Sequence, residues 1–462
     1  VDLHTAQLLA SPEGERALTL ATGLPDPDSL GAGERMRREF APELAAAALS
    51  QMGLRRRARA KLGPRADLLL WTSDGVEQAT RASVSAWRAR RLVSAGITTV
   101  LDIGCGAGAD ALAFLDAGLS VTGVEIDPAT ALLARHNLSA ARVVPAAGAG
   151  AHNPLGPATA DGPGYAGPQA MVIAGDGVEL APGLIQGATG RVCVYLDPAR
   201  RTSRGRSWRV DDLSPGWPFV EAQLQADHAT CVKLGPGFPR ELLPDDVAAI
   251  WVSDHGDLVE CGLWHLPGAG APDAPDPEAP GGTGRIAVPG SRSAVLLPSG
   301  VQAWADPGAP DFEVRAPGRY LYEPDPAVSR AGASRALAIK PPVTGSSGTP
   351  RPGAAPAHIW RLAPGVGYLS SDDLISTPLA TTFEVLEVID HHLPALRAWV
   401  KAHRIGTLEI KKRAVEIDPA ALRKKLHPKG PNAATLLLTP TTNGLAALVV
   451  QRLRDTPRIT LN

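Results

Sequence analysis

The sequence predicts an α/β protein in which an open, mostly parallel sheet follows an N-terminal helical region and precedes a small C-terminal α+β domain. Three observations predict it. Seven short runs rich in β-branched and apolar residues, Thr99–Ile103, Ser120–Ile126, Ala170–Ala174, Arg191–Leu196, Ala229–Leu234, Ala248–Val252 and Val259–Leu266, alternate with helical stretches, the pattern of strands joined by crossover helices. Before them, apolar residues recur at three- and four-residue spacing through Glu34–Met52 and Ser83–Leu92, as on one helix face. After them, Phe383, Leu386, Ile389, Leu393, Leu396 and Val400 trace a stripe at the spacing of one long helix, and short strands are expected at Thr407–Ile410, Ala434–Leu438 and Ala446–Val450.

These readings divide the 462 residues into a helical region over 1–95, a sheet domain over 96–266, linkers and a connecting segment over 267–378, and a C-terminal domain over 379–462. Gly (48) and Pro (43) are abundant and concentrate in Pro145–Pro168, Pro267–Gly284 and Pro341–Ala357. Those segments hold too few large apolar groups to offset the entropy of ordering them, so they read as surface insertions and linkers. Elsewhere, 44% hydrophobic residues suffice for real cores. Lys and Arg (46) nearly cancel Asp and Glu (47), so a nucleic-acid surface has to be a local patch. The four cysteines, Cys105, Cys193, Cys231 and Cys261, form no C-x-x-C pair, which removes the usual zinc and redox-dithiol motifs, and no metal is implied. Cys193 and Cys231 lie within predicted strands and are expected to pack rather than react. No run of eighteen apolar residues and no basic leader followed by an apolar segment is present, so a cytoplasmic protein without a membrane partner is expected.

The strongest local signal is Val100-Leu101-Asp102-Ile103-Gly104-Cys105-Gly106-Ala107-Gly108. A buried strand ending in a glycine turn lets the backbone approach a ligand, because no Cβ intervenes. Gly104, Gly106 and Ala109 also satisfy a dinucleotide-binding spacing. Two features favour S-adenosylmethionine instead. Asp102 can meet the cofactor's amino group, where a pyrophosphate would be repelled, and Glu125 ends the second strand as an acceptor for both ribose hydroxyls. Asp176, after the third strand, can accept from the adenine amino group. Asp197-Pro198-Ala199-Arg200 ends the fourth strand, at the carboxyl edge where open α/β sheets bind ligands. Asp127 before Pro128 reads as a helix cap.

With these motifs in order, Thr98 to Leu266 resembles the class I S-adenosylmethionine-dependent methyltransferases. The resemblance implies a Rossmann-like sheet of seven strands with the last antiparallel. It implies Asp102, Gly104 and Gly106 around the methionine end, Glu125 on the ribose, Ile126 against the adenine and Asp176 at the adenine edge. Thr72–Thr80 looks like the helical lead-in of trimethylguanosine-synthase-type enzymes. Amino-methylating relatives carry Asp/Asn-Pro-Pro-aromatic; here Asp197-Pro198-Ala199-Arg200 lacks the second proline and the aromatic, leaving Arg200 to stack on a planar base. Asp197 is the candidate for orienting the nucleophile, with Pro198 and Arg200 beside it. Lys233, ending the fifth strand, either points into the site or is an ordinary strand lysine.

Ile405–Arg413 and Leu422–Gly430 resemble the THUMP-like domain of bacterial methyltransferase-family proteins. Residues 397–429 hold ten Lys or Arg against three acids, the local charge that binding a phosphate backbone requires. Candidate RNA contacts are Lys411, Lys412, Arg413, Lys424 and Lys425, with Arg201, Arg204 and Arg206 rimming the active site. A third basic run, Arg55, Arg56, Arg57, Arg59, Lys61 and Arg65, reads as a solvated helix end. His391 and His392, adjacent on the expected helix, would not face one another. The reading is methyl transfer to RNA, on a base or cap-like amine, with the C-terminal domain aiding binding. The alternatives are a small-molecule or protein substrate, or an inactive RNA-binding protein. The sequence does not define an oligomeric state.

Overall fold

The computed structural model describes residues 1–143, 168–200, 212–268, 287–338 and 357–453. Except at their ends, the three Gly/Pro-rich segments lie outside the described residues. Six helices open the chain: α1 (Leu3–Leu9), α2 (Pro12–Thr22), α3 (Leu30–Glu39), α4 (Pro42–Leu62), α5 (Ser73–Gln78) and α6 (Ala82–Ser94). Asp2, Ser11, Ser29 and Thr72 cap four of them through their side-chain oxygens, satisfying orphan N–H groups of the first turn. The Glu34–Met52 stretch is two helices rather than one, because Pro42 drives Ala41 to ψ 144°, out of the helical region. The basic run along the end of α4 and just beyond it is not simply solvated. Arg55 donates to the Leu69 carbonyl, Arg56 pairs with Asp28, Arg57 reaches Ser73, Arg59 pairs with Asp67, Lys61 donates to the Glu77 carbonyl, and Arg65 pairs with Asp116.

The sheet region follows as β1 (Thr99–Ile103), α7 (Ala109–Asp116), β2 (Ser120–Glu125), α8 (Pro128–Val143), β3 (Ala170–Ala174), α9 (Gly177–Gly187), β4 (Val192–Leu196), β5 (Ala199–Arg200), β6 (Leu213–Ser214), α10 (Trp217–Leu224), β7 (Ala229–Leu234), β8 (Ala248–Asp254) and β9 (Asp257–His265). All seven expected strands are present. β10 (Arg292–Leu297) and β11 (Val301–Trp304) extend the sheet to nine strands, in the order β11-β10-β8-β9-β7-β4-β1-β2-β3. β2, β3, β4 and β7 join β1 in a parallel array, and β9 runs antiparallel to β7. Sequence order reverses at β1, so the carboxyl ends of β1 and β4 flank the switch point.

The described chain forms two compact units, the first taking Val1–Ala249 and the segment from Glu260, the second Ile250–Val259 and the segment from Ser291. In the first, Leu9, Met36, Phe40 and Met52 of the N-terminal region share a core with Ala129 and Leu133 of α8. A buried amide adds to that join. Asn137 on α8 accepts from Leu70 N (2.7 Å) and donates to both the Leu70 carbonyl (3.0 Å) and the Ala107 carbonyl (2.9 Å). One side chain therefore links the N-terminal region to the glycine turn.

The second unit continues through β12 (Tyr320–Pro324), α11 (Pro326–Ala331), β13 (Trp360–Arg361), β14 (Leu369–Ser371), β15 (Ala380–Asp390), α12 (Leu393–Ala402), β16 (Ile405–Lys412), α13 (Pro419–Leu426), β17 (Asn432–Thr441) and β18 (Gly444–Arg452). Its seven-stranded sheet runs β13-β14-β12-β15-β18-β17-β16. Two expectations are corrected. Residues 267–378 are not only linkers, since they supply β10 to β14 and α11. The long helix through Phe383 and Leu386 is instead strand β15 followed by α12. Thr381, Thr382, Val385, Val388 and Ile389 favour a pleated strand, and Pro394 is tolerated only in a helix's first turn, where it sits. His391 and His392 consequently lie in the turn, with ring centroids 4.2 Å apart and both imidazoles beside Asp390.

Asn137→Ala is expected to destabilise the first unit by about 2–5 kcal/mol, since three buried backbone groups lose their partner. Urea denaturation of the variant against wild type measures this.

Candidate active site

The glycine turn after β1 is built as the sequence requires. Gly104, Gly106 and Gly108 have φ of 83°, 53° and 83°, left-handed values that side chains with a Cβ adopt only with strain. A Cβ at Gly104 or Gly106 would meet nothing within 4 Å, so the turn presents bare backbone to open space. Glu125, at the end of β2, accepts from Gly106 N (2.9 Å) and Asp127 N (3.0 Å), which fixes its carboxylate beside the turn. Ile126 follows it, 68% exposed. Asp127 caps α8 as expected, accepting from Thr130 N at 2.8 Å. Asp176 is exposed at the start of α9, and one of its oxygens accepts from Val178 N at 2.8 Å.

Beneath these groups lies a buried ionic cluster. Arg88 on α6 is 1% exposed. It donates to both oxygens of Glu260 on β9 (2.7 and 2.6 Å), pairs with Asp110 on α7 and lies over the Tyr195 ring at 5.0 Å. Thr80 donates to the second oxygen of Asp110 at 2.7 Å. Burial pushes Asp110 up, but Arg88, Lys233 and the Thr80 hydroxyl outweigh it and hold the carboxyl below its ordinary range. At the end of β4, Asp197 accepts from Lys233 Nζ at 2.5 Å, and Lys233 also donates to the Gln78 carbonyl at 3.3 Å. Lys233 thus points into the site. Burial depresses its ammonium, yet Asp197, Asp110 and Glu260 hold it above its usual value.

Asp102 is different. It is 1% exposed, and neither carboxylate oxygen has a hydrogen-bond partner among the described residues. Burial, then the fields of Asp110 and Asp197, push its carboxyl well above the ordinary range, with Arg88 opposing. A buried acid with no partner is costly, and the ligand that satisfies it has to bring a donor, best a cationic one. The α-ammonium of S-adenosylmethionine is such a donor, so the residues present fit this cofactor.

The structure brings together Asp102, Gly104, Gly106, Glu125 and Asp197 along the carboxyl ends of β1, β2 and β4. Pro198 is buried just beyond Asp197. Arg201, Arg204 and Arg206, and the side chain of Arg200, lie outside the described residues. The four cysteines are buried thiols that form no disulfide. Burial raises Cys193 to about 12 and pushes Cys105 and Cys231 well up, which fits packing rather than nucleophilic roles. Sequence reasoning missed Arg88, Asp110, Glu260 and Thr80. Asp110 alone carried a signal, as an acid in the first turn of the apolar helix after the glycine turn; the others were ordinary members of amphipathic or strand patterns.

In the second unit the basic run separates into two sets. Lys411 pairs with Glu323 at 2.5 Å and lies over the Phe383 ring, while Arg413 reaches Glu323 at 3.9 Å and lies over Tyr368. These two are packed against β12, contrary to the expectation that they face RNA. Lys412, Lys424 and Lys425 are exposed. Among the described residues, no helix is long and apolar enough to cross a membrane.

A methyltransferase domain model matches residues 101–162, a THUMP domain-like model matches residues 380–452, and a domain of unknown function matches residues 2–58. An uncharacterized S-adenosylmethionine-dependent methyltransferase of Mycobacterium tuberculosis, present in strains CDC 1551 and H37Rv, is 30% identical over 397 residues, covering 84% of this chain and 90% of the relative. A crystal structure described as that of a proposed methyltransferase from Porphyromonas gingivalis W83 superposes with a TM-score of 0.66 at 21% identity, covering 98% of each chain. The chain therefore belongs to the S-adenosylmethionine-dependent methyltransferases, with S-adenosylmethionine as its cofactor and a C-terminal THUMP-like domain.

Arg88→Met is expected to destabilise the first unit by about 3–5 kcal/mol, because Asp110 and Glu260 are left buried without their cation. A thermal or urea melt of the variant measures the loss.

Proposed function

We propose that the enzyme methylates RNA, on a base or cap-like amine, and that the THUMP-like domain helps to hold the nucleic acid. The observation that carries the RNA reading is the exposed cationic set Lys412, Lys424 and Lys425, within a segment of ten basic and three acidic residues. Such a local excess is what counterion release from a phosphate backbone requires.

S-adenosylmethionine supplies an electrophilic sulfonium methyl group. Asp102 would receive the cofactor's ammonium, the backbone at Gly104 and Gly106 would hold the methionine end, and Glu125 would accept from the ribose hydroxyls. Ile126 would cover the adenine, and Asp176 would meet the adenine edge through the oxygen that does not cap α9. Asp197 holds the nucleophile: Lys233 occupies Oδ2, so Oδ1 is presented to an N–H of the acceptor amine and aims its lone pair at the methyl carbon. Bound there, the cofactor would supply its methyl group as an electrophile and keep the C–S electron pair on sulfur, while the amine proton would pass to solvent. Alignment of this kind supplies much of the rate enhancement in a simple displacement. Pro198 fixes the turn after Asp197, and Arg200, Arg201, Arg204 and Arg206 supply cations for the substrate's phosphates.

Radiolabelled methyl transfer to total RNA from cells lacking the protein is expected to exceed transfer to wild-type RNA; equal transfer, with cofactor binding verified, sinks the RNA reading. Asp197→Asn is expected to lower turnover at least about 100-fold with cofactor affinity retained.

Asp102 gives a pH test. Its carboxyl titrates well above the ordinary range in the free protein, and an ammonium beside it favours the ionised form. Binding then releases a proton, and affinity rises with pH from the ordinary carboxylate range up to the free-state titration. Calorimetry in two buffers of different ionisation enthalpy is expected to show that release, and Asp102→Asn to abolish it.

For the RNA surface, replacing Lys412, Lys424 and Lys425 together by Ala is expected to lower the slope of log affinity against log salt by about 2, at roughly 0.7 per phosphate contact. Lys411→Ala is expected to leave that slope unchanged.

A further inference from the structure

We propose that Lys233 is a positioning residue for methyl transfer, holding one oxygen of Asp197 while pinning the C-terminal end of α5 over the site. The proposal rests on the reading of Asp197 as the group that orients the nucleophile. β7 lies beside β4 with Val232 opposite Leu196, so Lys233, the penultimate residue of β7, and Asp197, the first residue beyond β4, lie side by side at the sheet's carboxyl edge. The Lys233 side chain is 15% exposed. An ammonium that far from water is retained only where acceptors replace its hydration. Two do so, Asp197 Oδ2 and the Gln78 carbonyl.

The second acceptor makes the lysine more than a counterion. Helix α5 has six residues, too few to be stable by itself, so its place depends on what holds it. At one end Thr72 caps it, and a Cβ on Gly75 would come within 3.6 Å of the Ala107 side chain in the glycine turn. At the other end its last two carbonyls are taken by lysines, Glu77 by Lys61 and Gln78 by Lys233. Lys61 belongs to α4 of the N-terminal region. Among the described residues, Lys233 alone joins the helix to Asp197. It fixes which carboxylate oxygen faces the acceptor and keeps α5 spanning from the glycine turn to the proposed catalytic aspartate.

The test compares Lys233→Met and Lys233→Arg with wild type, using cofactor calorimetry, methyl transfer to total RNA, and hydrogen–deuterium exchange. The Met variant is expected to bind cofactor within about threefold of wild type, to lose about 100-fold in kcat as a misplaced reacting group does, and to exchange faster over residues 73–80. The Arg variant, which keeps the cation, is expected to recover most of the rate and the protection. Wild-type exchange over 73–80 in Lys233→Met overturns the proposal, whatever the RNA assay gives. Faster exchange throughout the unit with cofactor affinity lost also overturns it, since a lysine that merely supports the fold would do that. If wild type transfers no methyl to RNA, or Asp197→Asn keeps full turnover, the functional reading fails separately, and the exchange comparison still decides whether Lys233 pins α5.

Discussion

The buried guanidinium of Arg88 is the constraint on which the catalytic unit is organised. Removing it from water costs several kcal/mol unless every neighbour contributes, and the structure surrounds it with the Glu260 carboxylate, Asp110 and the face of Tyr195. These partners come from β9, α7 and β4, so one side chain from the N-terminal helical region fixes three elements around the carboxyl edge of the sheet. The same pairing uses up Asp110 and Glu260. With Lys233 taking one oxygen of Asp197, Asp102 is left, among the described residues of the candidate site, as the buried acid without a hydrogen-bond partner.

The N-terminal helices are therefore part of the site rather than an appendage. Arg88 and Thr80 reach Asp110, Asn137 ties Leu70 to Ala107, and α5 lies between the glycine turn and Lys233. In the second unit the same logic sorts a run of similar residues. Glu323 on β12 draws in Lys411 and Arg413, while Lys412, one position along the alternating strand, points away and stays exposed. A charge run read as one patch is two populations, one paired with Glu323 and one exposed.

Much of this was legible in the sequence, and the reasons are local. The seven strands of the catalytic sheet are short β-branched runs ending in turn residues, and each motif acid lies within a residue or two of a strand end. β15 was not legible, because a three- and four-residue stripe through Phe383, Leu386, Ile389 and Leu393 fits a helix. Its β-branched content and Pro394 decide between helix and strand only once its pairing with β12 and β18 is seen. The strands between residues 287 and 371 escaped notice for a similar reason, being short and set among Gly and Pro.

The sequence by itself determined the class of protein. A glycine turn after a buried strand, with acids at fixed distances beyond it, can be recognised because backbone geometry and cofactor chemistry act over a few residues. The tertiary structure alone decided which charges are available. Arg88 and Glu260 are 172 residues apart in the chain, and no pattern along it says that they neutralise one another, that Lys233 holds Asp197, or that Asp102 is left without a partner among the described residues. Pairing in a low-dielectric interior depends on distance in space, and only the fold sets that distance.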